Sequence, residues 1–283
     1  PSTKFKKVAH RAPMLSLANA FSGEDLLDFS GRITRILGES SIDFVSELKI
    51  DGAAVSLTYQ EGLLSVGATR GDGRFGEDVT DNLRTIRTIP LRLKGSLRIP
   101  DLVEVRGEAY LPLSAFQAMN IDREAKGRTA FANPRNAAAG ALRQLKATVT
   151  ARRPLAFFPY AIGYLEGFEI STQWEALELL EQWGFRVNLH CRRHGSMNRV
   201  IEYCREYESR RQEMDYEFDG VVVKVDRLDY QRRLGSVARD PRWAMAFKFP
   251  SEVAVTRLQK IGINVGRTGA LNPYAILEAV QVG

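Results

Sequence analysis

Cysteine and long hydrophobic runs are both scarce in this chain. Among its 283 residues the two cysteines, Cys191 and Cys204, form neither a disulfide framework nor a Cys-x-x-Cys zinc motif. No apolar run approaches the roughly 18 residues needed to cross a bilayer, and the sequence contains no recognisable signal peptide. These absences predict a protein of the reducing cytoplasm with no membrane partner.

Histidine is also rare, and one common phosphate-binding motif is missing. His10, His190 and His194 stand in no metal-ligand spacing and in no catalytic arrangement, so we assign the chemistry to lysines and carboxylates. The G-x-x-x-x-G-K-[ST] motif of P-loop proteins is absent. Residues 71–76 match G-x-G-x-x-G, but the helix and parallel strand of a dinucleotide-binding fold do not follow. We therefore favour a turn that presents Arg70 to a phosphate.

The composition is that of an ordinary globular protein. Hydrophobic residues make up 44% and charged residues 26% of the chain, and this length predicts about two domains. The net charge of +6 permits a polyanionic partner without requiring one.

The hydrophobic pattern contains both helical and strand-like segments, and the expected fold class is α+β. Ser22 begins a capping signal for a helix that ends at Gly38. Further helices are predicted at 136–145, 174–183 and 200–211. Strands are predicted at 44–69 with a turn at 61–62, and at 102–111, 157–164, 220–225 and 243–248.

The stretch from Glu47 to Gly52, ELKIDG, carries the strongest chemical signal. It places Lys49 two residues before an Asp-Gly pair, as in nucleotidyltransferases whose lysine attacks an α-phosphate. A lysine becomes nucleophilic when desolvation or neighbouring cations lower its pKa. Asp51 could orient the amine or help to hold a metal ion, and Gly52 would let the backbone turn tightly against a ligand. The alternative is a surface lysine beside an ordinary hairpin turn.

Other charged residues lie on segments that otherwise look buried. Glu108 closes an apolar strand, which suits a carboxylate that accepts hydrogen bonds from ribose hydroxyls or, alternatively, a solvated strand end. Lys224 and Lys248 each stand on an apolar strand, where a buried ammonium needs an anionic partner. Beside Lys49 they would bind phosphates and lower the pKa of the nucleophile. The alternative is a pair of edge-strand lysines that oppose aggregation.

The stretch FANPRNAAAGALRQ predicts a helix of small residues with two arginines on one side. Arg135 and Arg143 are eight residues apart, about two helical turns, so both could grip successive phosphates. Close packing of the alanine-rich helix against another backbone is the alternative purpose of this segment.

Taken together, these segments resemble bacterial NAD+-dependent DNA ligases along essentially the whole chain. The matching stretches are HRAPMLSLANAF, ELKIDGAAVSL, GATRGDGRFGEDVTDNLRTIRTIPLRL, EVRGEAYLP, FANPRNAAAGALRQL, FDGVVVKV, PRWAMAFKFP and VGRTGALNP. The resemblance implies an ATP-grasp-like nucleotidyltransferase fold, with antiparallel sheets and flanking helices, over residues 1–250. Residues 251–283 would begin an OB-fold without completing it.

The resemblance also implies a mechanism and a nucleotide site. Lys49 would attack the adenylyl phosphate of NAD+ and carry AMP as a phosphoramidate. Glu47 would contact the adenine, Tyr160 would stack on it, and Glu108 would bind the ribose. Lys224 and Lys248 would hold the phosphate. Arg70 and Asp51 would line the reaction centre, and Ser16 and Leu17 would contact NAD+.

The partner implied by the resemblance is nicked double-stranded DNA. AMP would pass to the 5′-phosphate of the nick, and the 3′-hydroxyl would displace it. Arg135, Arg143 and Arg211 match positions associated with the DNA strand. Mg2+ would screen the phosphates without a dedicated protein cage, and a monomer is the expected state.

The chain departs from the family pattern in extent and at a few positions. It shows neither the small helical domain that precedes the family's adenylation domain nor the complete OB-fold, zinc finger, helix-hairpin-helix and BRCT regions that follow it. Ala18, Arg74 and Lys146 stand at positions where the family has other residues, and none of the three carries a role assigned above. We expect slow self-adenylation from NAD+ and weak DNA binding.

Two alternatives from other classes remain at the level of sequence. An ATP-dependent ligase or capping-type enzyme shares the lysine and the two later lysine strands. A basic nucleic-acid-binding module without catalysis would tolerate Lys49→Ala and Glu108→Ala, whereas the enzyme would not.

Overall fold

The computed structural model describes residues 5–95, 99–250, 254–266 and 268–280. The chain divides into two compact units, Pro1–Lys248 and Phe249–Gly283. No helix among the described residues is long and apolar enough to cross a membrane. Helices and antiparallel sheets together give the α+β class that the hydrophobic pattern predicts.

The first unit contains all the helices of the described chain. In chain order they are α1 (Gly23–Leu37), α2 (Thr80–Leu83), α3 (Leu113–Ala125), α4 (Pro134–Leu142), α5 (Ala147–Thr150), α6 (Gln173–Gln182), α7 (Met197–Ser209) and α8 (Leu228–Leu234), with a 3-10 turn at Arg211–Glu213.

The strands of the first unit form two main sheets and two short ribbons. They are β1 (Lys7–Ala9), β2 (Ala18–Ala20), β3 (Phe44–Ile50), β4 (Ala53–Gln60), β5 (Leu63–Thr69), β6 (Phe75–Glu77), β7 (Leu102–Tyr110), β8 (Ala156–Leu165), β9 (Arg192–His194), β10 (Phe218–Val225), β11 (Ser236–Val237), β12 (Asp240–Pro241) and β13 (Ala244–Lys248).

One main sheet has five strands in the order β2-β13-β10-β3-β9, and the other has four in the order β5-β4-β7-β8. All neighbouring pairs are antiparallel except β2 and β13, which run parallel. The chain passes from the five-stranded to the four-stranded sheet between β3 and β4, at Asp51 and Gly52. This crossing places the lysine motif where the two sheets meet.

The core packs the four-stranded sheet against helices. Alternate residues of β4 (Val55, Leu57 and Tyr59) are fully buried and lie in one apolar cluster with residues of α4 and α6. Period-2 burial on a strand and apolar stripes on helices drive this arrangement through the removal of apolar surface from water.

The segment that matches G-x-G-x-x-G forms a tight turn that leads from β5 into the short strand β6. Asp72 accepts hydrogen bonds from the backbone N–H groups of Arg74 and Phe75, both at 2.8 Å. The helix that follows, α2, has only four residues, and β5 pairs antiparallel with β4. The structure therefore contains no dinucleotide-binding βαβ unit here, as the sequence indicated.

The second unit contains a two-stranded antiparallel ribbon within its described residues. Its strands are β14 (Leu258–Val265) and β15 (Leu271–Leu277). The predicted boundary after residue 250 lies two residues from the division between the units. The identity of residues 251–283 as the beginning of an OB-fold stays a prediction, and residues 251–253, 267 and 281–283 lie outside the described part.

Candidate active site

A cleft of about 700 Å3 lies where the two main sheets meet. Its walls come from β3, β10 and β13 of one sheet, from β4, β7 and β8 of the other, and from α4. All but one of the residues singled out from the sequence line it. These are Ser16, Leu17, Glu47, Lys49, Asp51, Arg70, Glu108, Arg135, Arg143, Tyr160, Lys224 and Lys248.

Arg211 is the exception. It begins the 3-10 turn that follows α7 and does not line the cleft. Its assignment to the DNA strand stays a prediction.

Lys49 is held at the crossing between the sheets. Its side chain is 24% exposed, and its Nζ donates to both carboxylate oxygens of Asp219, at 2.8 and 3.2 Å. Asp51 and Gly52 connect strands of different sheets, so they do not form a hairpin turn. The alternative of a surface lysine beside such a turn is therefore wrong.

Gly52 is required by a close approach of backbones. A Cβ at this position would collide with the carbonyl oxygen of Ala109 and lie 3.0 Å from Cγ of Glu108. The φ of Gly52 lies outside the left-handed region, so conformational freedom is not the constraint. The sequence suggested a tight turn near a ligand, whereas the structure shows that strand β7 itself comes close.

Asp219 joins two of the lysines and was not singled out from the sequence. Its carboxylate accepts from Lys49 and, at 2.6 Å, from Nζ of Lys248. Burial acts to raise the pKa of Asp219, but the hydrogen bonds from Lys248 and Lys49 lower it below its usual value. The anion offsets the repulsion that we expected between the two ammonium groups. The available signal was an acid directly before Gly220 at the start of an apolar strand.

Lys224 lies on an internal strand. It is 6% exposed, and its Nζ is 2.7 Å from Oε1 of Glu47 and 2.7 Å from the backbone oxygen of Tyr160. β10 lies between β13 and β3, and β13 lies between β2 and β10. Neither Lys224 nor Lys248 is on an edge strand, so the aggregation-guarding alternative is wrong.

Two acids of the cleft, the buried Glu47 and the half-buried Glu108, have raised pKa values. Burial raises the pKa of Glu47, and Lys224 and Gln173 oppose this effect. Desolvation raises the pKa of Glu108 to about 8, although Lys49 and other cations of the cleft act in the opposite direction. Within the described residues no hydrogen-bond donor reaches the Glu108 carboxylate, which leaves its lone pairs available to a ligand.

Arginines line the cleft and pair with its outer acids. Arg135 Nη1 lies 2.9 Å from Oδ1 of Asp51, and Arg143 Nε lies 2.8 Å from Oε2 of Glu77. The helix that carries Arg135 is capped by Asn133 and has Pro134 in its first turn. Its alanines at 137, 138 and 141 are buried in the core. One face of this helix therefore packs in the core and the other lines the cleft, whereas the binding of phosphates by its two arginines stays a prediction.

The N-terminal segment is tied to the same cleft. Arg70 donates from Nη2 to Ser16 Oγ at 2.9 Å, and the N–H of Ser16 donates to the backbone oxygen of Arg239. His10 bridges Ser56 Oγ at 3.0 Å and the backbone oxygen of Arg70 at 3.1 Å. These contacts fix the guanidinium of Arg70 beside the segment that carries Ser16 and Leu17.

Further residues of the cleft were not found from the sequence. Trp243 and Asn188 line it, and Gln173 contacts Glu47 from behind the cleft wall. Trp243 stands in the quoted stretch PRWAMAFKFP, so its motif was available as a signal, whereas Gln173 has none. In the part of the chain that the structure describes, no group of three or more His, Cys, Asp or Glu residues is arranged to hold a metal ion.

The chain is similar to known proteins along nearly its whole length. The family model described as NAD-dependent DNA ligase adenylation domain matches residues 2–252. A DNA ligase of Herpetosiphon aurantiacus is 52% identical over 285 residues, covering 100% of this chain and 42% of that protein. A DNA ligase of Thermotoga petrophila is 51% identical over 278 residues, covering 98% of this chain and 40% of that protein. This chain therefore spans about two fifths of the length of these relatives.

Solved structures show a more distant likeness. The ATP-dependent DNA ligase from bacteriophage T7 in complex with ATP aligns over 91% of this chain and 80% of that chain. The TM-score is 0.42 and the sequence identity is 14%, which is too remote to support an argument about this cleft.

Proposed function

Because this chain belongs to the family of NAD-dependent DNA ligase adenylation domains, we propose that its cleft carries AMP from NAD+ to nicked DNA. Lys49 is the nucleophile in this proposal. The observation that supports it most directly is the position of Lys49, which lies in a cleft lined by the acids and cations that a nucleotide requires.

The first step is attack of the neutral Lys49 amine on the adenylyl phosphorus. A nitrogen–phosphorus bond forms, the bond from phosphorus to the phosphate oxygen of nicotinamide mononucleotide breaks, and the amine loses a proton. In the ligand-free cleft the Nζ of Lys49 donates to both carboxylate oxygens of Asp219. When the nucleotide phosphates arrive beside Lys248, that lysine gains a second anionic partner. The hydrogen bonds from Lys49 and Lys248 to Asp219 would then weaken.

The nucleoside half of NAD+ fits the inner part of the cleft. Glu47 would accept a hydrogen bond from the adenine amino group, with Tyr160 stacked on the base. Glu108, which has no donor from the described residues, would accept from the ribose hydroxyls. Lys248 and Lys224 would bind the phosphate, and Arg70 would hold the leaving group together with the segment that carries Ser16 and Leu17.

Mg2+ fits the same cleft with the help of the substrate. This ion is usually held by one or two carboxylates together with substrate phosphates, and the carboxylate of Asp51 lines the cleft. When bound, it would neutralise charge that builds up on the phosphate.

The later steps take place on DNA. A 5′-phosphate oxygen displaces Lys49 from the adenylyl phosphorus, and the 3′-hydroxyl then displaces AMP as the nick is sealed. Arg135 and Arg143 would release Asp51 and Glu77 and take up phosphates of the DNA strand instead. For this chain we expect weak DNA binding and slow adenylation from NAD+.

Calorimetric titration with AMP tests the nucleotide site. We expect saturable one-site binding by the wild-type chain and binding weakened about tenfold in Glu108→Ala, since the variant loses the partner of both ribose hydroxyls and each such hydrogen bond contributes roughly 0.5–1.5 kcal/mol. Glu181→Ala removes an exposed glutamate of α6 and should bind AMP as the wild type does. Absence of AMP binding by the wild type would refute the site.

Mass spectrometry of the intact chain tests the nucleophile. After prolonged incubation with NAD+ and Mg2+, the wild type should gain one adenylyl group at Lys49, and Lys49→Arg should gain none although it keeps the charge. Parallel incubation with ATP separates the NAD+-dependent reaction from an ATP-dependent one. Adenylation of Lys49→Arg, or adenylation from ATP alone, would contradict the proposal.

A further inference from the structure

Gln173 lies behind Glu47 at the inner end of the cleft. It is the first residue of α6, it is 4% exposed, and its side chain points to the cleft wall. Its Nε2 donates to Oε1 of Glu47 at 3.0 Å and to the backbone oxygen of Tyr160 at 2.9 Å. Lys224 donates from Nζ to the same two acceptors. Two donors on different elements thus share one pair of acceptors.

The convergence of both donors on one oxygen determines how Glu47 is presented to a ligand. Oε1 receives Gln173 and Lys224, whereas no partner from the described residues reaches Oε2. Glu47 lines the cleft, so Oε2 is the oxygen left for a ligand. A carboxylate oxygen accepts a hydrogen bond from an amino group and repels a carbonyl oxygen. Adenine carries an amino group at its 6-position, and hypoxanthine carries a carbonyl there.

The position of Gln173 is itself tightly fixed. Its backbone N–H donates to the backbone oxygen of Asp226 at 2.7 Å, and the N–H of Trp174 donates to Oδ1 of Asp226 at 2.9 Å. Thr172 caps the helix through the N–H of Glu175. Asp226 directly follows β10, the strand that carries Lys224. The two donors to Glu47 therefore belong to elements, α6 and β10, that are hydrogen-bonded to each other through Asp226. This connection limits rotation of the Glu47 carboxylate.

From this geometry we infer that Gln173 is a positioning residue that sets the preference of the cleft for adenine over hypoxanthine. The inference rests on the proposed function, since it assumes that Glu47 faces the base. Without Gln173, the carboxylate would be held by Lys224 alone and could turn Oε2 away or accept a proton in its buried site. Either change reduces discrimination at the 6-position.

The test is a comparison of AMP and inosine monophosphate binding by calorimetry. We expect the wild type to bind AMP about tenfold or more tightly than inosine monophosphate, because a mismatched buried polar contact is costly. In Gln173→Leu the ratio should fall to about threefold or less, mainly through weaker AMP binding. If the hydrogen bonds of Gln173 only stabilised the fold, their loss would lower the melting temperature and leave the ratio of the two affinities unchanged.

Gln231→Leu is the matched control. Gln231 is also a buried glutamine, and it donates from Nε2 to the backbone oxygen of Val225 at the end of β10, away from the cleft. The variant should lose stability while it keeps the wild-type ratio. If Gln173→Leu does not fold, Gln173→Asn, whose shorter side chain cannot reach both acceptors, should show the same fall.

The outcomes separate this inference from the proposed function. Failure of the wild type to bind AMP refutes the nucleotide site itself. Binding of AMP without discrimination, or an unchanged ratio in the folded Gln173 variant, refutes the role of Gln173 and leaves the site intact.

Discussion

At the scale of single residues, the cleft is organised by acids that each accept hydrogen bonds from two side-chain donors. Asp219 lies between Lys49 and Lys248, and Glu47 lies between Lys224 and Gln173. Each buried charge therefore has a partner, as the cost of an unpaired buried ion requires. Glu108 differs, because the cations near it do not compensate its desolvation.

The raised pKa of Glu108 predicts a pH-dependent stability. Its pKa is 4.5 ordinarily and about 8 in the folded protein, so the native state binds more protons than the unfolded state between these values. The stability contributed by this proton is complete below about pH 4.5 and is lost as pH rises through about 8. Glu108→Gln lacks this loss. Thermal unfolding at pH 5, 6.5 and 8.5 should therefore show that the melting temperature of Glu108→Gln rises relative to that of the wild type as the pH increases.

Glu181→Gln is the control for this titration. Glu181 is exposed on α6, so its variant should melt with the same pH dependence as the wild type. A difference between wild type and Glu108→Gln that is constant from pH 5 to 8.5 would show that Glu108 titrates normally.

At the scale of elements, helices differ in where their caps come from. α1 has a local capping box, in which Ser22 Oγ accepts from the N–H of Asp25 at 3.1 Å and Asp25 accepts from the N–H of Ser22 at 3.0 Å. α3 has no cap of its own. The carboxylate of Asp215, far along the chain, accepts from the N–H and the hydroxyl of Ser114, both at 2.8 Å. We predicted α1 because its capping signal lies next to it in the sequence. We did not predict α3, whose capping acid lies about a hundred residues away.

Removal of the α1 cap should destabilise the first unit. Ser22→Ala loses one partner of the capping box, which typically costs about 1 kcal/mol of the free energy of unfolding. Urea-induced unfolding followed by circular dichroism measures the change. Ser30→Ala makes the same substitution inside α1 and should stay within about 0.5 kcal/mol of the wild type. Equal effects of the two variants would contradict the role of the cap.

At the scale of the whole molecule, the positive net charge and the arginines of the cleft favour binding to a polyanion. The net charge is +6, and Arg135 and Arg143 both line the cleft that contains Lys49. Affinity that comes from phosphate contacts falls with salt, by a slope of about −0.9 per phosphate neutralised on duplex DNA. The strength and salt dependence of DNA binding therefore report on these arginines.

We expect the chain to bind nicked DNA with a dissociation constant of roughly micromolar or weaker at physiological salt. Fluorescence anisotropy across a salt series should give a slope that is smaller by about 1 in Arg135→Ala and in Arg143→Ala. Arg199→Ala, which removes an arginine paired with Glu202 on α7, should leave the slope unchanged. Nanomolar affinity, or an equal loss in Arg199→Ala, would contradict this interpretation.

The sequence alone determined the features that depend on neighbouring residues. Alternation of apolar residues gave β4 and β5, and the turn at Glu61 and Gly62, with φ of 48° and 75°, lies where the Glu-Gly pair predicted it. The capping signal gave α1, and the long motifs gave the family and most of the charged residues that line the cleft.

Only the tertiary structure decided which charges meet. Asp219 is 170 residues from Lys49 and Gln173 is 126 residues from Glu47, and no periodicity relates positions so far apart. In the sequence the Asp51-Gly52 pair between two strands looks like a hairpin turn. The sequence does not show that these two strands belong to different sheets, which is a property of the folded chain. The tertiary structure determines which acid pairs with each lysine of the cleft. A buried ammonium without an anionic partner is costly, so it pairs with the acid that lies next to it in the folded chain.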